Sequence, residues 1–472
     1  MTYLAIDLGG GSGRVIAGTL ADGRLSMEQI HRFDNYQVTM GHHVYWDFPY
    51  LLHQVKQGLR LAAGRGLDVR GIGIDTWGVD FGLIDRQGNL LGNPVCYRDA
   101  RTEGMPEQVF ARIDRSAHYS RNGTQVMPIN TLFQLMSLKL SDSPQLAVAD
   151  KLLFTPDLLA YFLTGVAGAE YTIASTSEML DAQARDWDYD TLRQLGLPAH
   201  LLPPVSRPGT VRGQLTARVQ EETGLGPVDV IAVGSHDTAS AVAAVPAEPG
   251  ENPVAFLSSG TWSLLGVELP EPLLSEQARL GDFTNEGGVC GRITFLQNIT
   301  GLWLLQRLMG EWRRKGHEPA YGPLLVAAEN AAADPRIDVD DPMFHNPPSM
   351  ERAIQNYVAA RQGERVAAPL HAEGMPGMGA LTRCVLQSLA DKYAVAVSRL
   401  NALLPQPVSC LHIIGGGSQN ALLNRLTEQA LGVPVKAGPV EATAMGNILT
   451  QALAKGELSS LEELRAVVRA SI

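Results

Sequence analysis

The chain has 472 residues, enough for two large domains and too many for a single binding module. Apolar residues make up 45% of it, which excludes an intrinsically disordered chain, and a net charge of −11 with no basic run makes nucleic acid and anionic membranes poor partners. No stretch reaches the roughly 18 apolar residues of a membrane span, and residues 1–14 lack the charged and apolar regions of a secretory signal, so a cytoplasmic protein is expected.

The opening segment, TYLAIDLGGGSGRVIAGTLADGRLSMEQIHRF, reads as a β-meander. Its first turn, DLGGGSGR at residues 7–14, lets backbone N–H groups approach an anion more closely than a residue with a Cβ would. Ser12 and Arg14 are placed to donate to phosphate oxygens, and Asp7 to hold Mg²⁺ through water; a plain glycine-rich hairpin with an Asp cap is the competing account. The turn is not a Walker A loop, because no GKS or GKT follows, nor a Rossmann fingerprint, because a strand pattern follows it.

Residues 47–64 read as an amphipathic helix capped by Asp47, with Pro49 in the first turn, Leu51, Val55 and Leu59 on one stripe and Gly64 at the end. In GIGIDTWGVDFGLID a buried strand precedes an alternating one, so strands and helices interleave as in a mixed α/β sheet. TWGVD at residues 76–80 sets an indole beside a carboxylate, a pairing suited to sugars, although Trp77 serves equally well as core. YRDARTE at residues 97–103 reads as a polar loop, either touching hydroxyls or exposed and salt-bridged. The strand VDVIAVG leads into SHDTAS at residues 235–240, where Asp237 either takes a proton from a substrate hydroxyl or caps the helix that follows. His236 either orients a sugar hydroxyl or is an ordinary buried histidine.

AAVPAEPGENPV at residues 243–254 has the composition of a linker. Beyond it PVAFLSSGTWSLLGVEL repeats the strand, turn and strand of the opening segment, which suggests a duplicated domain. SSGTWS at residues 258–263 is an ordinary hairpin when taken alone; facing the first turn, it would clamp a nucleotide triphosphate in a cleft between domains. NITGLWLLQR reads as a helix carrying Asn298 and Gln306. LTRCVLQSLADKYAVAVSRLNALL reads as a long helix with Val385, Leu389, Tyr393 and Val397 on one stripe. The strand CLHII follows, then GGGSQN at residues 415–420, which sets backbone donors at a helix N-terminus, and then a helix ending at Gly432. Cys96, Cys290, Cys384 and Cys410 lie far apart with no CxxC spacing and read as reduced thiols; no hydrolase elbow and no HExxH motif is present.

Taken together, IDLGGGSGRV, IHRF, GIDTWGVDFGLID, YRDARTEGM, NTLFQL, YFLTG, SHDTASAV, FLSSGTWSL, TNEGG, NITGLWLLQR, LHIIGGGSQN and AGPVEATAMGN resemble, in order, the FGGY family of carbohydrate kinases, in the superfamily of hexokinase, actin and Hsp70. The resemblance implies two ribonuclease-H-like α/β domains, residues 1–244 and 245–472, with an interdomain active-site cleft closing over ATP and sugar. It implies that Gly10, Gly11, Ser12, Gly13, Arg14 and Thr261 touch phosphates, that Gln306 and Gly416 hold the rest of ATP, and that Asp7 stands near Mg²⁺. It implies that Gly78, His236, Asp237, Thr238 and Asn298 hold the sugar, with Asp237 as general base. TWGVDF, TNEGG and NITGLWLLQR are similar to the branch that phosphorylates L-rhamnulose at C1; a kinase of fuculose, xylulose or glycerol, or a nucleotide-dependent binding protein of the same superfamily, are the alternatives. The cysteine pairs of some relatives are not reproduced, so no disulfide is carried over. A monomer or small homo-oligomer is expected.

Overall fold

The computed structural model describes residues 1–472, which form two compact units. The first comprises Met1–Pro249, Glu268–Leu296 and Glu441–Ile472, the second Gly250–Val267 and Gln297–Val440. The chain first leaves unit 1 between Pro249 and Gly250, within the proline-rich segment 243–254.

Unit 1 is built on a six-stranded sheet in the order Val211–Gln214, Asp229–Ile231, Val69–Thr76, Thr2–Leu8, Ser12–Ala21, Arg24–Asp34. The last three strands are the expected antiparallel meander, whereas Thr2–Leu8, Val69–Thr76 and Asp229–Ile231 run parallel. TYLAIDL is buried along almost its whole length because it lies at the sheet centre with both faces covered, which explains its unbroken apolar run. On one face the helix Phe48–Gly64 buries Leu51, Val55 and Leu59, and the Asp47 carboxylate accepts from Tyr50 N at 3.2 Å as its N-cap. Gly58 lets this helix come close, since a methyl there would lie 2.3 Å from Val15.

The opposite face carries Tyr3, Ala5 and Asp7 in register with Gly18, Ile16 and Arg14 on one side and with Gly71, Gly73 and Asp75 on the other. These glycines form a floor for the helix Ala442–Ala454: a methyl on Gly18 would meet Ile448 at 2.5 Å, and one on Gly73 would meet Asn447 at 2.2 Å. The same helix packs against Asp237–Ala243, and at Gly446 the two approach so closely that a Cβ would lie 1.8 Å from the Ser240 carbonyl oxygen.

In unit 2 the strand Ala255–Ser259 pairs antiparallel with Trp262–Leu269, from Ala255 opposite Val267 to Ser259 opposite Ser263, and parallel with Leu411–Ile414, which pairs in turn with Val435–Ala437. The repeated strand, turn and strand is therefore present. The long helix spans Gly374–Leu403, beginning ahead of Leu381, and its Tyr393 hydroxyl lies 2.6 Å from that of Ser263.

NITGLWLLQR is not a single helix. Asn298 sits on the strand Ile293–Thr300, and the helix starts only at Trp303, running to Arg314 with Gln306 in its first turns. ITFLQNIT is rich in β-branched residues and favours the strand. Gly301 makes the break, because a methyl there would lie 2.6 Å from the Trp262 carbonyl carbon. All four cysteines are free thiols, and no helix is long and apolar enough to cross a membrane.

Candidate active site

The carboxyl ends of the parallel strands in unit 1 gather the charged residues. Because Arg14, Asp7 and Asp75 are register partners on three adjacent strands, their side chains project from one face of the sheet. Arg14 pairs with Asp7 at 2.5 Å and also with Glu441, which immediately precedes the Ala442–Ala454 helix. On the far side Asp75 is fully buried; its Oδ2 accepts from Asn447 Nδ2 at 2.5 Å while its Oδ1 has no partner. Burial pushes the pKa of Asp75 well above the ordinary carboxylate range, and the neighbouring Asp7 carboxylate pushes it further. Burial likewise raises the pKa of Asp7, against the opposing pull of Arg14.

The turn between these strands is tied at its base, where Gly9 N donates to Ser12 O at 2.9 Å and Asn35 Nδ2 donates to Gly9 O at 2.9 Å. Neither Gly10 nor Gly11 has a positive φ, and a methyl on Gly11 would meet nothing within 4 Å. The fold itself therefore does not demand glycine there. What the missing side chains provide is a bare, exposed backbone surface of the kind a phosphate needs.

Asp237 stands nearby, joined to the same strand ends: Thr76 N donates to Ser235 O at 2.9 Å, and Thr76 bridges to His236. Asp237 is the first residue of its helix, and the capping position falls to His236, whose side chain makes no capping bond. The Asp237 carboxylate accepts from Thr238 Oγ1 at 3.2 Å and keeps a third of its side chain open. Burial raises its pKa, the nearby His236 pulls it down, and Asp7 pushes it up again. His236 is buried, with Nδ1 3.0 Å from Glu286 Oε2 and Nε2 3.5 Å from Asp237 Oδ1. Beneath this segment Glu170 is fully buried; its carboxylate accepts from Thr172 N, Thr172 Oγ1, Ile173 N and Ser235 N, and burial pushes its pKa up to about 7.

TWGVD forms a loop around a buried carboxylate. Asp80 Oδ2 accepts from Trp46 Nε1 at 2.6 Å, Trp77 Nε1 at 3.0 Å and Tyr97 N at 3.1 Å, and Oδ1 accepts from Gln134 Nε2 at 3.0 Å. The Trp46 and Trp77 rings lie 4.2 Å apart by centroid. Burial pushes Asp80 up to about 6 despite these donors. Val79 has φ 67°, unusual for a β-branched residue and a mark of a backbone held by its surroundings: its N donates to Thr176 Oγ1 at 3.1 Å and its O accepts from Thr131 Oγ1 at 2.7 Å. Gly78 beside it faces Thr176, 3.1 Å from where its Cβ would be. YRDARTE is a partly buried loop, with Arg98, Ala100 and Glu103 exposed and Asp99 buried. Tyr97 binds Asp80, Asp99 accepts from Val44 N and Arg101 N, and Arg101 donates to Gln134 Oε1 at 2.7 Å. Replacing Asp80 with Asn turns one acceptor oxygen into an amide facing donors. The expected cost is about 1–3 kcal/mol, measured as a lower midpoint in denaturant unfolding.

Unit 2 brings together the residues singled out there. Gly260 N donates to Trp262 O at 2.9 Å, a tie one residue shorter than the one that closes the first turn. Thr261 Oγ1 donates to Gln306 Oε1 at 3.4 Å, and Thr261 O accepts from Gly301 N and Trp303 N. The GGGSQN loop lies against this turn: a methyl on Gly415, which has φ 81°, would be 3.3 Å from Ser259 O, and one on Gly417 would be 2.1 Å from Ser259 Oγ. Gly416 between them is open, with nothing within 4 Å of its Cβ position. Asn298 also belongs to this unit.

Asp75, Glu441, Glu286 and Glu170 were not among the residues singled out from the sequence. For Asp75 a signal existed: AIDLG and GIDTWG share an apolar run ending in Ile-Asp, and the two aspartates are aligned across adjacent strands.

The chain matches known proteins along its length. It is 44% identical over 471 residues to a protein named rhamnulokinase from Bacteroides thetaiotaomicron, covering 100% of this chain and 94% of that one. A second rhamnulokinase, from Enterococcus faecalis, is 38% identical over 474 residues, covering 100% and 92%. Among solved structures, gluconate kinase from Lactobacillus acidophilus superposes with a TM-score of 0.79 at 14% identity, covering 99% of this chain and 92% of that one. Plasmodium falciparum glycerol kinase with ADP superposes with a TM-score of 0.76 at 15% identity, covering 100% and 93%. These superpositions establish the two-domain α/β sugar-kinase fold. The models of the N-terminal and C-terminal domains of one family match residues 2–244 and 255–455, so the chain belongs to the FGGY family of carbohydrate kinases.

Proposed function

We propose that the enzyme transfers the γ-phosphoryl group of ATP to the C1 hydroxyl of L-rhamnulose, giving L-rhamnulose 1-phosphate and ADP. The observation that carries this reading is the Asp237 carboxylate, which opens a helix at the carboxyl ends of the parallel strands without serving as its cap. Relatives named rhamnulokinase, 38–44% identical over the full chain, support the choice of sugar. In this reading Asp237 accepts the C1 hydroxyl proton as that oxygen bonds to the γ-phosphorus, and the bond from phosphorus to the β,γ-bridging oxygen breaks to release ADP. The transition state is loose, so alignment and charge neutralisation supply most of the acceleration. Gly78, His236, Thr238 and Asn298 hold the ketose. The amides of Gly10, Gly11, Ser12 and Gly13 and the N–H groups of Arg14 not engaged by Asp7 and Glu441 meet phosphate oxygens. Thr261, Gln306 and Gly416 hold the rest of the nucleotide. Functionally the chain divides into residues 1–244, bearing the base, and 245–472.

Asp7 and Asp75 fit a Mg²⁺ ion: the buried Asp75 Oδ1 has no partner, and the charge of Asp7 disfavours the ionised form of Asp75. Bound there through water, Mg²⁺ would offset the charge of the phosphates. The Arg14 guanidinium is already paired with Asp7 and Glu441, so backbone amides and the ion add to the positive potential for ATP.

The test is ADP release in a coupled assay with L-rhamnulose, L-fuculose, D-xylulose and glycerol. The highest kcat/KM is expected on L-rhamnulose. A higher value on another acceptor would overturn the sugar assignment, and ADP release independent of any acceptor would overturn the transfer itself.

A further inference from the structure

His236 lies between two carboxylates, with Nδ1 3.0 Å from Glu286 Oε2 and Nε2 3.5 Å from Asp237 Oδ1. A neutral imidazole carries one N–H and would turn a lone pair toward one of these oxygens, whereas an imidazolium offers an N–H to both. Neither His236 Nδ1 nor Glu286 Oε2 makes an aligned hydrogen bond to any group, and what brings these two buried atoms together is their ion-pair approach at 3.0 Å. Glu286 is 6% exposed and comes from the strand Thr284–Gly287, which pairs with Ile293–Thr300 and is fixed by Gly287 N donating to Ser175 Oγ at 2.7 Å. The charged groups facing the ring are all acidic: Glu286 from that strand, Asp237 from its own helix and Glu170 from the segment beneath. Burial opposes the charged ring, and these acids overcome it, lifting the His236 pKa above its ordinary value.

We propose that Glu286 is a positioning residue that keeps His236 as an imidazolium, whose Nε2–H is then offered to a sugar oxygen beside the Asp237 base. The donor role rests on the reading that this site holds a ketose; the protonation role does not. Glu286 carries no proton in the reaction and touches no reacting atom. Its two effects are to make His236 a charged donor and to set a positive charge beside Asp237, holding that carboxylate ionised. Neither effect needs a particular sugar.

The test uses the full-length enzyme with labelled histidine. The ring signals of His236 are assigned by their loss in His236→Asn and titrated by NMR without ligands, in the wild type and in Glu286→Gln. The wild-type ring is expected to titrate at least about 1 pH unit above that of the variant. Kinetically, Glu286→Gln is expected to raise the sugar KM about 10-fold, as a charged donor becomes neutral, while the ATP KM stays unchanged. The alkaline limb of kcat/KM for sugar is expected to move to lower pH. Glu286→Asp, which keeps the charge, should recover part of both effects and gives the same comparison if Glu286→Gln does not fold. A His236 ring that titrates at the same pH in the wild type and in the variants would overturn the proposal. A ring that shifts while KM is unchanged on every acceptor overturns the donor role and leaves the protonation role standing.

Discussion

Replacing Asp237 with Asn is expected to lower kcat by about 10²–10⁴, the usual contribution of a positioned general base, with the KM for ATP nearly unchanged. The amide matches the carboxylate in shape, and Thr238 Oγ1 can still donate to its oxygen, so the fold and the phosphate turn should survive while the proton acceptor is lost. The pH profile adds an independent check. Burial raises the folded pKa of Asp237, so the working, ionised form is lost as pH falls through a value above the ordinary carboxylate pKa of about 4. kcat/KM in the wild type should therefore fall on the acid side at a pH higher than an exposed carboxylate would give. That limb should be missing from the residual activity of the variant. Full turnover by Asp237→Asn at saturating sugar would show that another group takes the proton.

Replacing Gly446 with Ala is expected to destabilise unit 1 by about 3 kcal/mol or more, at the upper end of overpacking costs. Two effects compete. Within an exposed helix, Gly to Ala gains about 1 kcal/mol from backbone entropy. Here the new methyl would lie 1.8 Å from the Ser240 carbonyl oxygen, which belongs to the backbone of the neighbouring helix and cannot rotate away. The clash therefore outweighs the propensity gain, and the helices have to separate. Calorimetry should show a Tm lowered by about 5–10 °C. Because Ser240 lies on the helix that Asp237 opens, kcat should fall as well, even in molecules that stay folded. A Tm equal to or above that of the wild type would mean that the two helices are not in backbone contact.

Features set by local chemistry were legible in the sequence. The meander, the capped helix after Asp47, the second hairpin and the strand-to-helix position of Asp237 each follow from a few neighbouring residues and appear where expected. The Asn298 strand was misread as a helix because the apolar residues around Gly301 fit either pattern, and the close approach of the Trp262 backbone that ends the strand there comes from a distant segment. The same reason hid Glu441 and Glu286. Each meets its partner only through strand register or helix docking: Glu441 reaches Arg14 from the far end of the chain, and Glu286 reaches His236 from a separate hairpin. YRDARTE reads from the sequence as a polar loop open to either role because its partners lie far away in the chain: Arg101 supports Asp80 through Gln134, and Asp99 accepts from Val44 N.

The helix Ala442–Ala454 docks on the first strands, holds Asp75 through Asn447 and backs the helix of Asp237, yet it follows all of them far along the chain. During synthesis residues 1–249, which include Asp237 and the turn between Gly9 and Ser12, are made well before the helix that packs on them. Until residue 454 has emerged, the glycine floor of Gly18, Gly71 and Gly73 is uncovered and Arg14 lacks one of its two carboxylate partners. A nascent chain thus holds the cluster of Asp7, Arg14, Asp75 and Asp237 without its support until residues 441–472 complete unit 1.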